Sequence, residues 1–297
     1  MRLGHVITSV VLCGSLVFPT VSYSSTQEPQ EEPAAKTAET APPQKEPPKA
    51  KSPEELEAYQ KFMQAQDPDV RIREVEDFLL QYPESALKEY AYQVATQVYQ
   101  AKNDYARVLT YGELTLSENE SNLVALLVLA SAIADRTGQD TADRDEKLSE
   151  AEQYAKRALE ELARMEMPPE PPPPQWEQAK RDAESTAHAA LGMIAMVRKD
   201  FTKAESELRL ASSLAVPPDP VLLYRLGLCY SFQQKYDLAL EVLDQAAALG
   251  GVKVPSPDGG TKDLVGEAKE FALRAKTGWT EAPVPAPPAP NPEAPTP

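Results

Sequence analysis

Beyond the first two dozen residues the chain holds one histidine, His188, and one cysteine, Cys229, the side chains best suited to nucleophilic or metal chemistry. They stand forty-one residues apart, on stretches whose apolar spacing predicts packing between helices. A nucleophile needs a base beside it, and a zinc site needs three or four nitrogen or sulfur ligands. Neither set can be assembled from this inventory. The 46 acidic residues guarantee that some carboxylates lie close together. Many, however, occupy positions such as Glu54, Glu55 and Glu57 in a predicted first helical turn, where they complement the helix dipole. No Walker A motif, dinucleotide glycine fingerprint or His-Glu-x-x-His run is present, and Gly250-Gly251 and Gly259-Gly260 read as turn residues. The chemistry-bearing residues therefore predict no enzyme, no cofactor and no metal site.

The ends of the chain predict export. Arg2 precedes an uncharged apolar run from Val6 to Phe18, and Ser22 and Ser24 supply small residues suited to cleavage, so residues 1–24 read as a signal peptide. A membrane anchor needs about eighteen or more apolar residues, and Pro19 interrupts the run first. Cys13 follows Leu12, where a bacterial lipobox carries a small residue, so lipid attachment is not expected. The expected destination is the periplasm, with secretion or membrane anchoring as alternatives; contact with a membrane would come only through an uncleaved leader. The mature chain keeps a single cysteine and can form no internal disulfide. Its net charge moves from −16 to −17 on loss of the leader, which carries Arg2 and no acid. That balance disfavours nucleic acid and anionic lipid as partners.

Residues 25–52, rich in Pro, Glu and Ala, and the proline-dense residues 278–297 offer too little apolar surface to offset the entropy of folding, and both are predicted to be disordered. Between them lies an internal repeat. Leu191, Gly192, Ala195, Phe201, Ala204, Leu208 and Ala211 recur thirty-five residues later as Leu226, Gly227, Tyr230, Tyr236, Ala239, Leu243 and Ala246. A period in the mid-thirties with two amphipathic stretches per unit predicts stacked helical hairpins, none of which could close a core alone. The pattern resembles the tetratricopeptide repeat (TPR) family. That resemblance implies an all-α, right-handed α-solenoid of antiparallel hairpins, with protein partners rather than chemistry.

Five hairpins are predicted, at about 53–83, 85–118, 121–167, 176–216 and 219–250, with a capping helix at 262–276 closing a repeat domain that spans 53–277. Six prolines within 168–174 exclude helix and interrupt the array. The first hairpin departs furthest from the family pattern, since Arg71 stands where a small residue is expected. Gly112, in mid-helix, costs about 1 kcal/mol relative to alanine and so predicts a close approach.

The first helices carry more apolar surface than one packing contact requires. Beside the core stripe Leu223, Leu226 and Tyr230 runs a second face with Tyr224, Arg225, Leu228 and Phe232. The fourth hairpin repeats it with Met193 and Met196, the third with Leu127, and the second with Gln93, Gln97 and Gln100. In the family resembled, this face lines the concave groove. The expectation is a groove for a protein segment or helix, with Met adapting its shape and Tyr anchoring. The alternative is that the chain fills the stripe itself, through the long helix from Trp176 or the proline-rich tail. The Lys and Asn constellation of carboxylate-clamp repeats is absent. Two functions follow: an exported adaptor or scaffold that binds a protein segment, or a structural subunit docked permanently in an envelope assembly or homo-oligomer.

Overall fold

The computed structural model describes residues 49–165, 174–256 and 259–278. The leader, nearly all of the linker, residues 166–173 and the tail from 279 onward lie outside the described residues. The first five hairpins are α1 (Pro53–Gln64) with α2 (Pro68–Gln81), α3 (Lys88–Ala101) with α4 (Tyr105–Glu118), α5 (Leu123–Arg136) with α6 (Arg144–Arg164), α7 (Pro174–Val197) with α8 (Phe201–Leu214), and α9 (Pro220–Phe232) with α10 (Tyr236–Ala248). A short ribbon, β1 (Lys253–Pro255) and β2 (Thr261–Asp263), leads into α11 (Leu264–Lys276). Each hairpin packs on the next, α7 against both α5 and α9, and α11 against both α9 and α10. The fold is an all-α solenoid of hairpins.

Local chemistry sets most of the helix starts. Ser52 accepts from the Glu55 N–H at 3.1 Å, Asp104 from Arg107 at 3.1 Å, Asn122 from Ala125 at 3.0 Å, Asp200 from Lys203 at 3.1 Å, and Asp263 from Gly266 at 3.1 Å. Each satisfies a backbone donor that has no partner within its helix. Pro53, Pro68, Pro174 and Pro220 open α1, α2, α7 and α9, positions where a missing N–H costs nothing. Pro174 thus belongs to a helix although the proline run was expected to exclude one.

The turns repeat as well. Asn103, Lys199 and Gln234 hold φ of 58°, 62° and 61°, each directly before the capping residue of a second helix. Seven residues before each stands a small or mid-sized residue in the first helix: Thr96, Gly192 and Gly227. A Cβ on Gly227 would sit 2.5 Å from Leu243 Cγ, and one on Gly192 2.7 Å from Leu208 Cγ, so the leucine of the second helix occupies the space a side chain would need. In the second hairpin the exchange is reversed. Thr96 fills the first helix, Gly112 takes the leucine's place sixteen residues on, and a Cβ there would meet Leu129 Cδ2 of α5 at 2.7 Å. The close approach predicted at Gly112 is with the following hairpin.

The ribbon was not expected. Its antiparallel register pairs Lys253 with Asp263 and Pro255 with Thr261. Three-residue strands are too short for alternation to register in a sequence. The Leu264 N–H donates to the Val252 carbonyl at 3.0 Å and joins the ribbon to the start of α11.

Candidate functional site

Four residues expected to line an open groove are buried within the array. Leu127 is 3 %, Met193 6 %, Tyr224 3 % and Leu228 2 % exposed. Tyr224 and Leu228 share a cluster with Leu223, Leu243 and Ala246 and with Val265 and Ala268 of α11, and Met196 and Phe232 pack against it. Leu127 packs with Ala158 and Leu162 of α6 and Ala183 and Ala187 of α7. Met193 packs with Ala130, Ile133 and Ala134 of α5 and Leu148 of α6. The reason is geometric. An internal first helix meets its own second helix on one side and the next first helix on another, so it needs two apolar stripes to be buried at all. The neighbouring helices, α11 among them, fill the stripe, rather than only the long helix from Trp176.

The remaining three apolar or charged positions are intermediate. Phe232 is half-buried and stacks on Phe201 with centroids 5.3 Å apart and rings 21° from parallel. Met196 is half-buried between α7 and α9. Arg225 donates through Nη2 to Asp135 of α5 at 2.8 Å. Burial pushes the Tyr224 hydroxyl up to about 12, with the Glu267 carboxylate adding to the effect and Arg225 opposing it.

The glutamines of α3 behave differently. Gln93 and Gln97 are half-buried and Gln100 is exposed. Gln93 Oε1 accepts from Asn122 Nδ2 at 2.8 Å, and the same amide donates to Glu89 Oε1 at 2.7 Å. Neither the Gln97 nor the Gln100 side chain has a hydrogen-bond partner among the described residues. Their spacing of four and three residues puts all three on one face of α3. Toward the amino terminus Tyr90 lies three residues before Gln93, and its ring meets Tyr59 of α1 edge-on at 5.9 Å. Tyr90 stands on the Gln93 stripe by helical spacing, the one signal in the sequence that joins it, and through it Tyr59, to this face.

The reactive side chains have structural partners. Cys229 is fully buried and donates to the Phe201 carbonyl at 3.3 Å, and burial pushes its thiol up to about 11, away from the reactive thiolate. His188 Nδ1 lies 2.7 Å from Glu207 Oε2, joining α7 to α8. Glu152 of α6 meets Lys156, Arg198 and Lys203, which together hold its carboxyl at about 2 against the effect of burial. For Glu55 burial acts to raise the carboxyl, but hydrogen bonds from the Ser85 hydroxyl and the Lys51 N–H outweigh it and the net direction is downward. These carboxylates pin hairpins together. No group of three or more His, Cys, Asp and Glu side chains placed to hold a metal, and no helix long and apolar enough to cross a membrane, occurs among the described residues.

The array combines stacked antiparallel hairpins, a recurring left-handed turn residue and a glycine–leucine exchange between helices. The fold is TPR-like. No family model and no curated protein matches the chain. Among solved structures, a thermophilic TPR protein from Thermus thermophilus is similar to it at 17 % identity and a TM-score of 0.47, over 74 % of this chain and 99 % of that one. The overlap is loose, and the hairpin array rests on its own helices, turns and packing.

Proposed function

We propose that the chain is a non-enzymatic adaptor that binds a protein segment on the first-helix face of its amino-terminal hairpins. The observation that carries this reading is the contrast along the row of first helices. On α5, α7 and α9 that face is largely consumed by internal packing, whereas on α3 Gln97 and Gln100 have side-chain amides without partners among the described residues. Unpaired amides on the face of α3 that also carries the half-buried ring of Tyr90, two turns away, suit a segment that offers backbone carbonyls and N–H groups. Residues 1–24 support export, so the partner is sought in the cell envelope.

Photo-crosslinking tests this directly. A benzophenone side chain placed at position 97 or 100 in the intact cell should give discrete adducts, while the same group at Leu80, 81 % exposed on α2, should not. Adducts that are absent at 97 and 100, or equal at all three, would remove the assignment.

A permanent subunit is the second reading, supported by Leu273 of α11, which is 53 % exposed at the last described helix of the array. Sedimentation on dilution separates the two. A permanent homo-oligomer keeps its mass and an adaptor runs as a monomer.

A further inference from the structure

The helices α5, α7 and α9 are consecutive first helices, and α7 lies against both of its neighbours. Arg225 of α9 nonetheless bonds Asp135 of α5, ninety residues back in the chain. With α7 between them, the two side chains meet only because the row is concave, so the pair spans the hollow side of α7. Among the described residues, the other ion pairs between hairpins join neighbours, as Arg198 and Lys203 join Glu152, and Lys235 joins Glu205. Of these described pairs, Arg225–Asp135 alone skips a hairpin. On α7 the residues that share this side by spacing are Met193, Met196 and Val197, and on α9 Phe232, the last three of them only half-buried.

The exposure of the pair limits what it can do. The Arg225 side chain is 17 % exposed and that of Asp135 47 % exposed. An ion pair whose carboxylate is half open to water is screened on that side and shifts an equilibrium by about fivefold. That is far too little to hold the array folded, and the packing of adjacent hairpins already does so. It is enough to choose between two curvatures of a solenoid, which differ only by small rotations at each hairpin. A contact that adds little to stability yet bridges helices two places apart has its effect on curvature.

We propose that Asp135 and Arg225 form a latch that holds the concave side of α5, α7 and α9 closed, and that the array has an open state in which the latch is broken and the apolar residues of α7 and Phe232 are uncovered. The latch is independent of the α3 face and stands whether or not that face binds a partner.

The test uses the full chain and N-phenyl-1-naphthylamine, an uncharged dye that fluoresces in apolar sites. Asp135→Arg and Arg225→Asp each place like charges across the gap and should raise dye binding about threefold to fivefold, the range an exposed pair can supply. The double exchange, Asp135→Arg with Arg225→Asp, restores an ion pair of reversed sense and should bring binding back to that of the unmodified chain. All three should keep the helical circular dichroism and melt within a few degrees of the unmodified chain, which separates opening from unfolding. Single variants that bind dye no better than the unmodified chain, or a double exchange that binds as the singles do, would overturn the latch. Should either single variant fail to fold, salt decides with the unmodified chain: at about 1 M, where screening acts within about 3 Å, dye binding should rise, and no rise would overturn the proposal.

Discussion

Truncating Tyr224 separates a groove-lining residue from a core residue. Its ring is 3 % exposed and sits among Leu228, Leu243, Val265 and Ala268, so Tyr224→Ala leaves a cavity bounded by three helices. Removal of a buried aromatic side chain costs about 3–5 kcal/mol. For a chain of this size each kcal/mol moves the melting point by about 2–4 °C, which gives a fall of roughly 6–20 °C. Stability in a solenoid is close to a sum of nearest-neighbour contacts, so the loss should be local. Amide exchange in α9, α10 and α11 should accelerate by roughly two orders of magnitude for a loss of about 3 kcal/mol, while α1 to α4 keep their protection. Tyr224→Phe retains the ring and should melt near the unmodified chain. Phe232→Ala should cost less, about 1–2 kcal/mol, because that ring is half-buried and is held chiefly by its stack on Phe201. A Tyr224→Ala protein with unchanged melting and unchanged exchange would refute the assignment of this stripe to the core.

Three further outcomes follow from the packing and the charges. Gly227→Ala should destabilise by about 1–2 kcal/mol, since overpacking against Leu243 exceeds the helix-propensity gain; a higher melting point would show that Leu243 yields. The Glu152 carboxyl is lowered from 4.5 to about 2, first by Lys156 and then by Arg198 and Lys203, so its contribution to stability is present above pH 4.5 and is lost as pH falls toward 2. Denaturation profiles of Glu152→Gln should accordingly lose part of their slope in that window and lie below the unmodified chain at neutral pH. Cys229, fully buried with its thiol raised to about 11, should resist maleimide in the native protein and react on addition of denaturant; labelling at the same rate in both states would contradict its placement.

The hairpin architecture is legible in the sequence because its determinants are local and repeated. The thirty-five-residue recurrence carries the glycine–leucine exchange at Gly192 with Leu208 and at Gly227 with Leu243, and both helices of a unit show their own apolar periodicity. What the sequence conceals is which partner each stripe meets. Tyr224, Leu228, Met193 and Leu127 look surplus when each first helix is allotted one packing surface. They become core once the adjoining helices are in place: α7 for Leu127, α5 and α6 for Met193, and α10 and α11 for Tyr224 and Leu228. Periodicity reports how many apolar faces a helix has and is silent on how many neighbours it has. The ribbon at β1 and β2 is hidden for a different reason, since its six residues carry no alternation and depend on the turn between them and on α11 beyond.

Charge placement governs the rest of the candidate site. Arg225 and Asp135 are ninety residues apart, and nothing in either local sequence marks them as a pair. Their meeting follows from the curvature, which is the sum of small rotations at each hairpin and is encoded in packing rather than in any motif. The same curvature divides the first-helix face into two regimes. From α5 onward it is closed by apolar packing and bridged by an ion pair; at α3 it carries Gln93, paired with Asn122, and then Gln97 and Gln100, whose side chains have no hydrogen-bond partner among the described residues. A segment of partner protein that met the array in its closed form would therefore engage the amino-terminal hairpins, and engagement beyond α5 would require the latch to break. On the proposed reading, a partner confined to the amino-terminal hairpins should crosslink at positions 97 and 100 to the same extent after either single charge exchange at Asp135 or Arg225. If crosslinking there instead rises with dye binding, the two regions form one surface and the partner spans both.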